Sequence, residues 1–290
     1  MTDFWNDIPD PAHLSAEGMC NALNAHLSAF LQQDISCKRI LRDLLHAADD
    51  ATLARLSLPA KSMFMSALAQ FGEADAEEWA LWGRVYAGLA PSAEYESWQK
   101  DGIAEFANAL VHKAEYANLV EFWPQLSDGE KLASLGMVAG TFAEAFGFPP
   151  PRITGISSDI PNMQARYSHA DHEIMINVPA LSRLHVALFS VIHESTHALQ
   201  YHLRDSHRKD PASMPAFLAE QAGVIALNSR FYMSAQAGID LYRAQPLEAQ
   251  ANDVGRITLN VLIATGYLPK PVSQPPKPPS SLTPKPELKP

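Results

Sequence analysis

The chain has 290 residues, of which 47% are hydrophobic, so it can build a sizeable core as one large domain or two ordinary ones. Its formal net charge is −10. That excludes gripping nucleic acid or an anionic membrane as a primary role, because phosphate binding needs clustered Lys and Arg.

In chain order, the start Met1-Thr2-Asp3-Phe4-Trp5-Asn6-Asp7 is acidic and lacks the basic-then-apolar pattern of a secretory signal. No apolar run approaches the ~20 residues of a membrane span. Residues 1–127 are rich in Ala and Leu and read as a helical domain. Helices are expected over His13–Gln32, Lys38–Leu56, Ala60–Phe71, Glu73–Leu89 and Ser92–Trp123, the last as one long run with room for a break. The first carries Leu14, Met19, Leu23, Leu27 and Phe30 as an apolar stripe. Cys20 and Cys37 are the two cysteines; no CxxC pair exists, which argues against a thiolate metal site and fits reduced thiols of a cytoplasmic protein.

A second region, residues 128–268, changes character. Asp128 can cap a helix through Leu132, Met137, Phe142 and Phe146, with Pro149-Pro150-Pro151 as its stop. Short strands follow at Arg152–Ile156, Met163–Ser168 and Glu173–Val178, the last two flanking a hairpin turn at His169–His172. Long helices are then expected over Leu184–Arg204, Pro215–Ala235 and Pro246–Ala264, with Gly266 ending the last. Residues 269–290 hold nine of the 22 prolines and read as an extended, solvated tail, with docking in a partner's aromatic groove as the alternative. The expected class is thus α+β, mostly α: a helical N-terminal domain followed by a compact domain with a small sheet and one helix that carries the site.

That helix carries His193-Glu194-Ser195-Thr196-His197. Histidines four apart share a helix face and can hold one metal ion, while the carboxylate beside the first can touch a water on that metal. By composition alone this pattern arises in roughly 1% of chains of this length. The context adds weight: Leu184, Leu188, Val191 and Ala198 make a core stripe, and Val186, Phe189, Ser190, His193, His197 and Tyr201 share another side.

A catalytic zinc site needs a third protein ligand. His202 lies five residues past His197, about 140° around the helix, and is unsuited. Glu248 leads, in Gln245-Pro246-Leu247-Glu248 at a helix start, with small Ala251 and Gly255 allowing close approach. Glu220 is its rival. Asn252, one turn past Glu248, is a candidate to fix the tautomer of a ligand histidine. Tyr201, Tyr232, Tyr242 and His202 are candidates for an oxyanion donor, and His169 and His172 can reach a cleft mouth or simply face solvent.

These residues resemble the zincin metallopeptidases of the gluzincin type. The tract His197-Ala198-Leu199-Gln200, followed by Tyr242-x-x-x-Pro246-x-Glu248-x-x-Ala251, is similar to compact zincin-like domains of bacterial and phage proteins. The resemblance covers roughly residues 128–267. It implies His193, His197 and Glu248 as ligands of one catalytic zinc ion, Glu194 as general base and a peptide or protein as substrate. It also implies an edge strand before the zinc helix, for which Glu173–Val178 is the candidate. Two departures stand out. Gln200 and Leu203 occupy the positions where metzincins carry glycine and a third histidine, and Asn252 replaces an aspartate common in gluzincins. The expectation is a zinc metalloendopeptidase; the alternatives are hydrolysis of a non-peptide amide, or a non-catalytic scaffold using the helices and tail.

Overall fold

The computed structural model describes residues 49–56, 61, 65, 83–86, 89–160, 163–234 and 239–271. The helix expected at His13–Gln32, both cysteines, most of the residues between 57 and 88 and the tail beyond 271 lie outside them. The protein is α+β and mostly helical, with one three-stranded sheet among the described residues.

After a short helix α1 (Asp50–Arg55), the first long element is α2 (Ala93–Val111), capped by the Ser92 hydroxyl, which accepts from the Tyr95 N–H. The run expected to reach Trp123 is two helices. Lys113 adopts an extended conformation (φ −83°, ψ 126°), and α3 (Ala114–Phe122) restarts so that Tyr116 and Leu119 become buried.

The cap of α4 (Asp128–Phe146) is Ser127 rather than Asp128. The Ser127 hydroxyl accepts from the Glu130 N–H and the Glu130 carboxylate accepts from the Ser127 N–H, a capping box. Asp128 stands in the first turn, where its charge favours the helix dipole. Nor do the prolines stop this helix: Gly147 does, two residues earlier, at φ 72°. Its N–H reaches the Glu144 carbonyl and the Phe148 N–H reaches the Ala143 carbonyl, which satisfies the last turn.

The sheet contains β1 (Arg152–Ile156), β2 (Ala165–Ser168) and β3 (Glu173–Asn177) in the order β1-β3-β2, with β1 parallel and β2 antiparallel to β3. The strand expected as the edge is therefore the central one. The His169–His172 turn folds β2 back on β3, and β1 takes the other side of β3; Ile174 and Ile176 end fully buried. The exposed edge beside the helical layer is β2. In the turn, the His172 N–H reaches the His169 carbonyl and His172 sits at φ 49°, the left-handed position of a four-residue hairpin loop.

Helix α5 (Leu184–Lys209) is the centre of the molecule, packed against α4, α6 (Ala216–Arg230), α8 (Pro246–Ala264) and strands β2 and β3. It runs five residues past its expected end, with His207, Arg208 and Lys209 in a last turn that favours positive charge. From Ala187 to Gln200 only Phe189 and His193 are not buried, so both of its expected faces lie inside. A short helix, α7 (Ile239–Ala244), precedes α8. The core continues across residue 127: Tyr95, Phe106 and Leu110 of α2 pack in one cluster with Phe142, Val191 and Leu262. No helix among the described residues is long and apolar enough to cross a membrane.

Candidate metal centre

One turn of α5 separates His193 and His197, so their rings meet edge to face with centroids 4.8 Å apart. Helix α8 brings a carboxylate to them. Its start is set by Pro246 in the first turn and by Asn228, whose side-chain oxygen accepts the Leu247 N–H at 2.9 Å. Glu248 follows in that first turn, 1% exposed, where unpaired backbone N–H groups favour a negative charge. The two helices approach closely because Ala251 and Gly255 are small. A Cβ at 255 would lie 2.9 Å from the Phe189 ring, which itself packs 5.8 Å from the His193 ring.

The three side chains converge. His193 Nε2 lies 3.2 Å from His197 Nε2, and Glu248 straddles them, Oε2 at 3.4 Å from His193 Nε2 and Oε1 at 3.4 Å from His197 Nε2. Ligands held ~2.0–2.1 Å from a tetrahedral zinc ion are ~3.3–3.4 Å apart, so these separations suit one small cation. Glu248 Oε2 and His193 Nδ1 are buried without a hydrogen-bond partner, and two ring nitrogens aimed at one carboxylate need a proton or a cation between them. Among the described residues this is the one group of His, Cys, Asp and Glu close enough to hold a metal ion.

The metal-free electrostatics agree. Burial alone would lower the pKa of His197, but the bond to Glu248 and the charges of Glu248 and Glu194 raise it to about 9. Burial opposes ionisation of Glu248, yet the two imidazoles hold its pKa well below the usual carboxylate range. Both shifts favour positive charge between the imidazoles and the Glu248 carboxylate. The Tyr232 hydroxyl donates to Glu248 Oε1 at 2.6 Å, and burial together with that carboxylate pushes the phenol pKa far up.

Glu194 is 7% exposed and does not belong to the cation-holding group. It faces a cleft of about 240 Å³ with His197, Glu248, Leu247, Ala165, Arg166 and four tyrosines: 167, 201, 232 and 242. Burial raises Tyr167 to about 12, and burial and Glu248 raise Tyr242 further, so both hydroxyls stay protonated donors. Strand β2 forms one wall. The Asn177 N–H bonds the Gln164 carbonyl, so by the antiparallel alternation Ala165 and Tyr167 point their backbone N–H and C=O groups to the open edge.

Other residues singled out from sequence fall elsewhere. Glu220 is exposed on α6 and outside the group. His202 lies beside Phe148 and Ser206, away from the cleft. The acceptor on His197 Nδ1 is Gln200 Oε1, at 2.8 Å, and not Asn252. His169 stacks on Tyr201, centroids 4.6 Å apart, and meets Asp205, while His172 bonds Tyr167 and the Pro149 carbonyl. Sequence reasoning missed Gln200, although it stands three residues past His197 on the same face. It also missed Gln245, which bonds Met233 through both N–H and C=O and so holds the Tyr232 segment over Glu248. Comparison with protein-family models, curated proteins and solved structures found no match for this chain.

Proposed function

We propose that this protein is a zinc-dependent hydrolase of the zincin type that acts on peptide bonds. The observation that carries the reading is the His193, His197 and Glu248 triangle, with separations of 3.2 to 3.4 Å, beside a carboxylate that takes no part in it. His193, His197 and Glu248 would hold the ion. When bound, zinc lowers the pKa of water toward ~7 and polarises a carbonyl oxygen. Glu194 takes the proton of the attacking water and returns it to the leaving amine as the C–N bond breaks. Of the cleft tyrosines, Tyr201 supplies a hydroxyl donor for the developing oxyanion, because the Tyr167 and Tyr232 hydroxyls already meet His172 and Glu248. The free backbone groups of Ala165 and Tyr167 suit an extended peptide laid along β2. The corresponding compartment is the cytoplasm.

Three protein ligands, rather than four, among the described residues support catalysis over a structural site, which is normally closed by a fourth. Metal analysis with the Glu194→Gln variant tests the proposal. The variant keeps its zinc and its fold and loses hydrolysis of a peptide library; full activity in that variant removes the mechanism, and absence of bound metal in the wild type removes the site.

A further inference from the structure

A buried chain of side chains leads away from the metal centre. His197 Nδ1 meets Gln200 Oε1 at 2.8 Å. Gln200 Nε2 meets the Leu247 carbonyl at 3.0 Å and Gln250 Oε1 at 2.8 Å, and Gln250 Nε2 meets the Tyr95 hydroxyl. Gln200 is 0% exposed, Gln250 6% and Tyr95 0%. The links therefore run without competition from solvent, and each must be a true donor–acceptor pair.

The Leu247 carbonyl decides the direction of this chain. A backbone carbonyl only accepts, so the Gln200 atom facing it must be the NH₂ group. That leaves the Gln200 oxygen toward His197, and an oxygen there needs an N–H opposite. The same logic makes Gln250 accept from Gln200 through Oε1 and donate to Tyr95 through Nε2. One main-chain carbonyl, immediately before ligand Glu248, thus sets the side-chain orientations up to the second histidine.

We propose that Gln200 is a positioning residue that holds His197 as the Nδ1–H tautomer, so that the Nε2 lone pair faces His193 and Glu248, with Gln250 and Tyr95 locking the Gln200 amide. Its consequence for metal binding rests on the zinc reading above; the tautomer does not. It also gives α2 a role, because Tyr95 brings the end of the chain from that helix. His193 has no such support: its Nδ1 is buried without a partner, and its ring lies against Phe189. The two ligand histidines are therefore held by different means, one by a hydrogen-bonded chain and one by packing.

The test uses the full chain and three proteins: wild type, Gln200→Met and Gln200→Glu. Glutamate keeps an acceptor toward His197 while removing the donor to Leu247 and Gln250, and the wild-type ring spectrum decides the tautomer if a variant folds poorly. Ring ¹⁵N spectra of His197 in the metal-free protein, recorded at rising pH until the shifts no longer change, report the tautomer of the neutral ring directly. Wild type and Gln200→Glu should show Nδ1–H; Gln200→Met should show a mixture and bind Zn²⁺ ~10–100-fold more weakly in competition with a chelator. A wild-type ring carrying its proton on Nε2 overturns the inference. So does a folded Gln200→Met variant with unchanged tautomer and unchanged zinc affinity. A wild type that takes up no Zn²⁺ removes the zinc reading instead, and the ring spectrum still decides the tautomer.

Discussion

Tyr232 donates its hydroxyl to Glu248 at 2.6 Å, so the carboxylate that straddles two imidazoles is also steadied from the cleft side. Charge-assisted bonds of this kind contribute about 1.5–3 kcal/mol when buried. Tyr232 is 45% exposed, which places its share at the low end. Tyr232→Phe should therefore keep the fold and weaken Zn²⁺ binding by roughly 3–10-fold, read by chelator competition. An unchanged affinity would show that the hydroxyl does not steady the ligand.

The metal-free protein should have a pH-dependent stability set by this site. His197 is raised from 6.5 to about 9 by Glu248 and Glu194 against its burial, so its contribution is full below pH 6.5 and disappears as pH rises through 9. Glu248 is lowered from 4.5 by the two imidazoles, so its contribution is present above pH 4.5 and is lost as pH falls toward its depressed pKa. Thermal denaturation of chelator-treated protein should be highest between pH 4.5 and 6.5 and fall toward 9. Glu248→Gln should flatten the alkaline limb. A flat profile in the wild type between pH 6.5 and 9 contradicts the coupling.

Gly255→Ala sets two effects against each other. Alanine favours a helix interior by about 1 kcal/mol over glycine. Its Cβ, however, would stand 2.9 Å from the Phe189 ring, and overpacking costs about 1–3 kcal/mol. The expected net is a loss of up to about 2 kcal/mol in denaturant unfolding, with weaker zinc uptake because Phe189 is pushed toward His193. A stabilised variant would show that the two helices have room to spare.

Gly147→Ala isolates a backbone effect. No atom lies within 4 Å of a Cβ at 147, so space is no obstacle, but φ is 72°. An L-residue in that region costs about 1–2 kcal/mol. Unfolding stability should fall by that amount with zinc binding unchanged, and Gly147→Asn should recover part of it, because asparagine tolerates this conformation.

The sequence by itself determined what local chemistry controls. The strand Arg152–Ile156, the helix Pro246–Ala264 and the start of α5 at Leu184 follow from periodicity and turn residues within a few positions of each boundary. The placement of His193 and His197 on one face follows from the helix repeat alone. Even locally, two competing signals were misassigned: Ser127 out-competes Asp128 as a cap because its partner Glu130 sits three residues on, and Gly147 acts before the prolines are reached.

Only the tertiary structure decided which acid joins the histidines, which strand is the edge, and what holds the rings. Pro246, Ala251 and Gly255 favour Glu248 over Glu220 in the sequence, but it is the packing of α8 on α5 through Ala251 and Gly255 that brings the Glu248 carboxylate to the histidines and leaves Glu220 exposed on α6. Strand β3 is central because β2 folds back on one side of it through the His169–His172 turn while β1, earlier in the chain than β2, pairs along its other side. Gln200 meets Leu247, Gln250 and, through Gln250, Tyr95 across 47 to 155 positions of sequence. Contacts at such separations depend on how whole elements pack, and the residues within one element carry no record of that choice.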